Sequence, residues 1–531
     1  MNRKIRTWAW RLKTIAEVMA CDGSKREGYG RSGSIIPFVY KSRDKVRVIP
    51  RGDSYLAVCD LPLNAVRVNA RAMRILKSCD GTRSVTGIAR EAGITNEEDV
   101  LRVCEYFRAR GFLDQETVPD TGFRPSVSVI IPVRNRPEEL SECLASVFAQ
   151  EYPRELMEVI VVDDGSTDDT PEVARRFPCT LLSSAVSLGQ SYCRNRGARE
   201  ASGEILAFLD SDCVAERTWL KELVVWFVWE RIGAVGGYVD GYFTETTIDR
   251  YEQAASPLSM GKRQLIGSND TSTLYVPTCN LLARKQVFEE TSGFRPDLLV
   301  GEDVDFCWSM RDRGHILLYV PRGRVKHRHR SSLWNMLRRR KDYGTSEALL
   351  YGLHRDRRKR FNVPVSAGLS TVFACTGVLA LSPWILLVSL MPLLFDIAKK
   401  WLKLTQARLN LPLSKIAVSV IRGHFSMAYF FSFHLIRYYL ILMILLGFLL
   451  PPLWLLSFCA LLIASSVDYT TRGPKLSYPV YLSYYLLEHL AYQLGVAIGC
   501  LGERKFGSYR PVLTTGRPKS PLVANRQRVP E

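Results

Sequence analysis

Two aspartates, Asp210 and Asp212, stand one residue apart at the end of the apolar run Ile205-Leu206-Ala207-Phe208-Leu209. A buried strand with that ending delivers two carboxylates to a sheet edge. Such a pair suits a hard divalent cation, Mg²⁺ or Mn²⁺, which takes a few protein oxygens and completes its shell with water and a diphosphate. The same Asp-x-Asp spacing is common in surface turns, so its meaning depends on what surrounds it.

Upstream, Val159-Ile160-Val161-Val162 ends in Asp163-Asp164-Gly165-Ser166, and Val127 to Ile131 breaks at Pro132 into Val133-Arg134-Asn135-Arg136. Three β-branched runs, each followed by a polar loop and a helical pattern, predict a parallel α/β sheet. Ligands of such sheets bind at the carboxyl ends of the strands, so the three tips should share one crevice. Downstream, Gly301-Glu302-Asp303 opens a helix whose apolar positions follow at Val304, Cys307 and Trp308. Acids there also serve as simple helix capping. In His327-Arg328-His329, two histidines two apart on an extended segment are expected to face the same way. Either then ligates a cation while basic neighbours attract phosphate.

These segments, with Gly189, Arg194-Asn195-Arg196-Gly197 and Gly203-Glu204 between them, resemble the family-2 inverting nucleotide-sugar glycosyltransferases of the GT-A fold over residues 124–345. Arg250-Tyr251-Glu252, Tyr275-Val276-Pro277 and the segment Gly301 to Trp308 resemble the mycofactocin-biosynthesis glycosyltransferases more narrowly. The resemblance implies a UDP-sugar donor and a divalent cation. It places Asp163 and Asp164 beside the base and ribose, Pro132 and Arg134 at that end, and Arg194 near the donor. Asp210 and Asp212 then hold the diphosphate through the metal, with Asp212 ahead of Asp210 as direct ligand. His327 closes the site, with His329 as the adjacent alternative; Asp303 is the general base and Glu302 the runner-up. The implied activity is transfer of a hexose, glucose from UDP-glucose, to a ribosomal-peptide-derived redox cofactor. Two alternatives stand beside it: a lipid-carrier or cell-envelope polysaccharide acceptor, and an inactive membrane scaffold that recruits a peptide.

The whole chain has 531 residues and a net charge of +19 from 72 Lys+Arg against 53 Asp+Glu. Basic clusters at Arg338–Lys341 and Arg355–Arg360 precede long apolar segments without zinc-finger spacing, which favours a membrane surface over nucleic acid. Its 13 cysteines form no C-x-x-C pair, so structural zinc is not expected and free thiols are. Residues 1–34 read as a basic lead. Residues 35–116 read as two strands and three helices, a winged-helix-like α+β module. There Val66-Arg67-Val68-Asn69-Ala70 and the segment Leu76 to Ala89 resemble PqqD-like peptide-binding domains. Val363–Phe395 and Tyr438–Val467 lack Lys, Arg, Asp and Glu, and each exceeds the roughly 20 residues that cross a bilayer. Tyr478–Leu501 is a weaker candidate. The expected architecture is therefore a GT-A domain at 124–345, a membrane region at 363–502 and a basic tail at 503–531. Basic flanks put the catalytic domain on the cytoplasmic side of the cell membrane, with hairpin or multi-pass attachment.

Overall fold

The computed structural model describes residues 38–43, 46–51, 54–60, 63–108, 110–117, 122–267, 272–298, 300–329, 331–357, 359–406 and 411–515. The expected basic lead and the tail beyond 515 lie outside these residues. The chain divides into two compact units, the first within residues 1–122 and the second starting at Phe123.

The first unit holds the three expected helices, Ala70–Ser78, Val85–Glu91 and Glu97–Arg108. Asn69 caps the first, its side-chain oxygen accepting from the Ala72 amide at 2.8 Å. Ile75, Ile88, Val100, Cys104, Phe107 and Phe112 form buried positions. Its strand content exceeds the expected two. Val46–Arg51, Ser54–Asp60 and Leu63–Val68 make an antiparallel meander, and Phe38–Ser42 lies between Asp80–Ser84 and Leu113–Thr117. Asp80-Gly81, a dipeptide common in turns, is the start of a paired strand. Alternation in these short, charged segments is too weak to announce pairing that long-range contacts impose.

In the second unit the three predicted strands are part of an eight-stranded sheet. Its order is Leu265–Gly267, Ile316–Tyr319, Ile232–Gly236, Leu281–Arg284, Ile205–Phe208, Val127–Val133, Met157–Asp163 and Thr180–Ser183. The last four are mutually parallel, in the register Phe208–Ile130–Ile160, so their carboxyl ends lie along one edge. Leu281–Arg284 runs antiparallel to both its neighbours and makes the sheet mixed. A three-stranded ribbon, Cys213–Ala215, Val325–His327 and Val239–Gly241, stands next to the aspartate loop and sets Cys213 opposite His327.

After the sheet domain, the helix Leu333–Leu353 packs lengthwise on Tyr478–Glu503. The contact needs glycine. A Cβ on Gly495 would lie 1.9 Å from the Lys341 carbonyl oxygen, and one on Gly499 2.2 Å from that of Thr345. Tyr478–Glu503 therefore serves as a packing partner of the helix that follows the sheet domain. Among the described residues, two helices are long and apolar enough to cross a membrane, Leu413–Tyr438 and Pro452–Arg472. Leu413–Tyr438 escapes a search for charge-free runs because it carries Lys415, Arg422 and Arg437. The first predicted run divides into Val365–Leu379, Pro383–Val388 and Met391–Gln406, and the second breaks at Pro451-Pro452, so prolines mark a division in each. Many large apolar side chains of this region are exposed, Trp384, Phe448 and Leu449 among them.

The basic clusters that suggested a membrane face are partly internal. Arg340 is buried against Glu252 at 2.5 Å, and buried Arg357 pairs with Asp312. A sequence run shows charge but not the side of the helix it occupies. Replacing Gly495 with leucine should force the helices apart and cost about 2–3 kcal/mol. The expected readout is a lower thermal midpoint and faster proteolytic separation of the C-terminal helices; an unchanged midpoint would contradict the close contact.

Candidate active site

The strand ends open onto a cavity of about 510 Å³. Pro132, Arg134, Asp164, Arg194, Asp210, Asp212, Glu302, Asp303, His327 and His329 all line it; buried Asp163 does not. Asp163 instead accepts the Ser166 amide at 3.2 Å and shapes the turn after its strand. Asp164 accepts from the Leu188 amide at 2.6 Å and the Ser187 hydroxyl at 2.7 Å. Burial opposes its charge, but these donors outweigh burial and hold the carboxyl below its ordinary value. The loop after the first strand is tied to the same region. Asn135, at φ +49°, donates its amide to Ser166 and accepts from the Thr167 amide.

Asp210 and Asp212 have different surroundings. Arg194, only 1% exposed, donates to Asp210 Oδ1 at 2.6 Å and to Glu302 Oε1 at 3.0 Å. Its buried charge is favoured because both carboxylates face it. One guanidinium thus fastens the aspartate loop to the amino end of the helix Glu302–Asp312. Asp212 meets Arg136 through Oδ2, while Oδ1 lies 3.6 Å from His327 Nε2. Burial works against ionisation of Asp212, yet His327 and Arg136 prevail and lower its pKa. Ligand atoms of Asp212, Cys213 and His327 lie within 4.8 Å of one another, a spacing that a divalent cation can draw together. Carboxylate oxygen suits Mg²⁺ and Mn²⁺ alike, and Mn²⁺ also accepts an imidazole nitrogen, so the residues fit the implied metal.

The two histidines line the same cavity but take different partners. The strand ends at His327, and His329 bends back to donate its amide to the His327 carbonyl at 3.0 Å. His329 Nε2 faces Asp249 Oδ1 at 3.4 Å, so period-two alternation fails where the strand stops. Burial lowers the His329 pKa despite that aspartate.

Asp303 sits one residue into the same helix as Glu302, behind the left-handed Gly301 at φ +90°. Burial and the neighbouring Glu302 raise its pKa to about 7. That value suits a base at neutral pH. Tyr275, Tyr343 and Arg339 line the cavity with it. From the C-terminal helices, Arg437 and Tyr492 complete the wall, with the guanidinium 3.3 Å from the ring centroid.

Local sequence signals assign no site role to Arg136, Arg339 or Tyr343, and Tyr275 stands in a segment that carries only the family resemblance. Arg136 was in view two positions after Arg134, and Arg339 inside a basic run; their aim toward the acids is tertiary. Arg437 and Tyr492 carry no local signal at all.

The signature of the Glycosyl transferase family 2 domain matches residues 128–292. The chain is 35% identical over 207 residues to Glycosyltransferase AglE of Haloferax volcanii, covering 38% of this chain and 66% of that protein. It is 32% identical over 238 residues to the pre-mycofactocin glycosyltransferase of Mycobacterium tuberculosis, covering 44% and 48%. Matches thus span about half to two thirds of these relatives' lengths. Among solved structures it is similar to a mannosyltransferase of Pyrobaculum calidifontis in complex with GDP-Man and Mn²⁺. That likeness has a TM-score of 0.35 and 21% identity, covering 59% of this chain and 89% of the other.

Removing the bridge should be severe. Arg194→Met leaves two facing acids without their cation, at a cost of about 3–5 kcal/mol. Arg194→Lys should restore only part of this, because an ammonium lacks the planar fork that spans both carboxylates. Thermal denaturation of the three proteins checks the ranking; equal midpoints would refute it.

Proposed function

Since residues 128–292 carry a Glycosyl transferase family 2 domain, we propose that this chain transfers a hexose, glucose from UDP-glucose, with inversion onto a peptide-derived redox cofactor of the mycofactocin type. The observation that carries the reading is the gathering of Asp210, Asp212, Glu302, Asp303 and His327 on one cavity. The acceptor rests on the similarity to the pre-mycofactocin enzyme.

In this reading Pro132, Arg134 and Asp164 bound the nucleoside end, and Asp163 supports that end from behind. A divalent cation held by Asp212, with Asp210 and His327 beside it, would supply positive charge for the departing diphosphate. Asp303 takes the proton of the acceptor hydroxyl as its oxygen bonds the anomeric carbon. The bond from that carbon to the diphosphate breaks on the opposite face, and UDP leaves with the electron pair. Charge at the sugar ring passes through an oxocarbenium-like state, as in glycoside hydrolysis. Glu302 is held by Arg194, which leaves Asp303 as the carboxylate for the base role.

One observation favours a lipid-linked acceptor as the second reading. Arg437 in the cavity wall belongs to Leu413–Tyr438, a candidate membrane span. Attachment through this span and Pro452–Arg472, with the catalytic domain cytoplasmic, accounts for the exposed apolar residues.

The first unit is proposed to present a peptide by strand addition at a sheet edge such as Val46–Arg51.

Detergent-purified protein incubated with a panel of nucleotide sugars and Mg²⁺ or Mn²⁺ should release UDP from UDP-glucose in the presence of acceptor. No turnover with any donor would favour the inactive scaffold. Asp303→Asn should bind donor normally and lose transfer by about 100-fold or more. In the parent the carboxylate form grows as pH rises through about 7, so kcat should fall about tenfold per unit on the acid side. Loss of donor affinity with the pH profile intact would contradict the base role. Removing residues 1–116 should weaken transfer to peptide-linked acceptors more than to free sugars; equal weakening would remove the peptide-presenting role.

A further inference from the structure

Beside the carboxylates that suit a hard cation lies a soft donor that the proposed transfer does not use. Cys213 immediately follows Asp212, and its sulfur is 3.9 Å from Asp212 Oδ1. Antiparallel pairing sets Cys213 directly opposite His327. Residues opposite each other in such a ladder project to the same face, with Cβ atoms about 4.5–5.5 Å apart. Sulfur, imidazole nitrogen and carboxylate oxygen therefore converge from a ribbon that holds them in register, within 4.8 Å of one another. Behind Cys213 a second thiol, Cys279, shares a hydrogen bond with it and also lines the cavity. Both cysteines are free and buried.

A thiolate, an imidazole and a carboxylate make a ligand set for Zn²⁺ or Co²⁺ rather than for Mg²⁺, which prefers an oxygen shell. We infer that Asp212, Cys213 and His327 form a site for a thiophilic divalent cation, and that zinc bound there excludes the cation needed for transfer. Binding breaks the sulfur–hydrogen bond, passes the proton to water and forms a metal–thiolate bond; no electron is transferred. The ligand atoms need to approach by roughly an ångström to reach the 2.0–2.3 Å bonds of zinc, a movement within reach of side-chain rotation at a loop-to-strand junction. Inhibition by zinc then follows from occupancy, because zinc engages Asp212 and His327, the groups that the transfer cation needs.

This inference rests on the reading of Asp212 as the cation-side acid, and the two fail separately in one experiment. Full-length protein in detergent is titrated with Co²⁺ alone and followed by absorption spectroscopy, then challenged with Zn²⁺. The expected result is a sulfur-to-metal charge-transfer band at one equivalent, absent in Cys213→Ser and abolished by zinc in the parent. Zn²⁺ affinity, measured by chelator competition, should fall by about tenfold or more in Cys213→Ser, while Mn²⁺ affinity should stay within about twofold. Co²⁺ that binds without a charge-transfer band would overturn the thiolate site and leave the carboxylate site standing. A band that persists unchanged in Cys213→Ser would also overturn it, by tracing the signal to another thiol. Absence of any Co²⁺ or Mn²⁺ binding would overturn both. Should Cys213→Ser fail to fold, His327→Ala decides: the band must weaken there as well, and an unaltered band refutes the site.

Discussion

One buried guanidinium holds the candidate site together. Arg194 comes from the helix Gln190–Glu200, which packs under the parallel strands, and it reaches Asp210 on one side and Glu302 on the other. A sheet edge can present acids, and a helix can begin with them, yet neither fixes the distance between the two. Like charges would drive these elements apart in a low-dielectric interior. The bridge converts that repulsion into attachment. It also differentiates the acids: Arg194 takes Asp210 and Glu302, Asp212 meets Arg136 and His327 instead, and Asp303 accepts from the Val304 amide. Roles for these acids follow from what each is already bound to.

The C-terminal helices are part of this arrangement rather than an appendage. Gly495 and Gly499 let Tyr478–Glu503 approach Leu333–Leu353 at backbone contact, and the latter helix brings Arg339 and Tyr343 to the cavity. Arg340 is fixed between Glu252 and Glu488, so the sheet domain, the long helix and the C-terminal helix share one buried ion cluster. Breaking a buried pair leaves an uncompensated charge. The candidate-site cavity and the apolar helices are consequently coupled through packing as well as through the chain.

Much of the site was legible because its signals are local. Apolar β-branched runs ending in Asp163-Asp164 and Asp210-Ser211-Asp212 announce strands and their tips, and parallel pairing then puts the tips on one side. Gly301-Glu302-Asp303 announces a helix start. Less was readable where geometry comes from afar. The antiparallel strand Leu281–Arg284 is apolar like its neighbours, and direction has no signature in composition. His329 departs from His327 because the ribbon ends between them. Arg338–Lys341 is a basic run whose members take different partners at the cavity, Arg340 buried on Glu252 and Arg339 over the Tyr343 ring. Charge scattered along Leu413–Tyr438 hid a helix that passes a hydropathy test once its boundaries are known.

The central claim is that Asp212 joins a nucleoside diphosphate to the protein through a divalent cation. Calorimetric titration of UDP into the full-length protein, with Mn²⁺ and then with chelator, tests this most directly when repeated on Asp212→Ala. The account predicts cation-dependent binding that weakens in the variant by more than the roughly 10–100-fold typical of supporting residues around a metal. UDP binding of equal strength in all four titrations would contradict it.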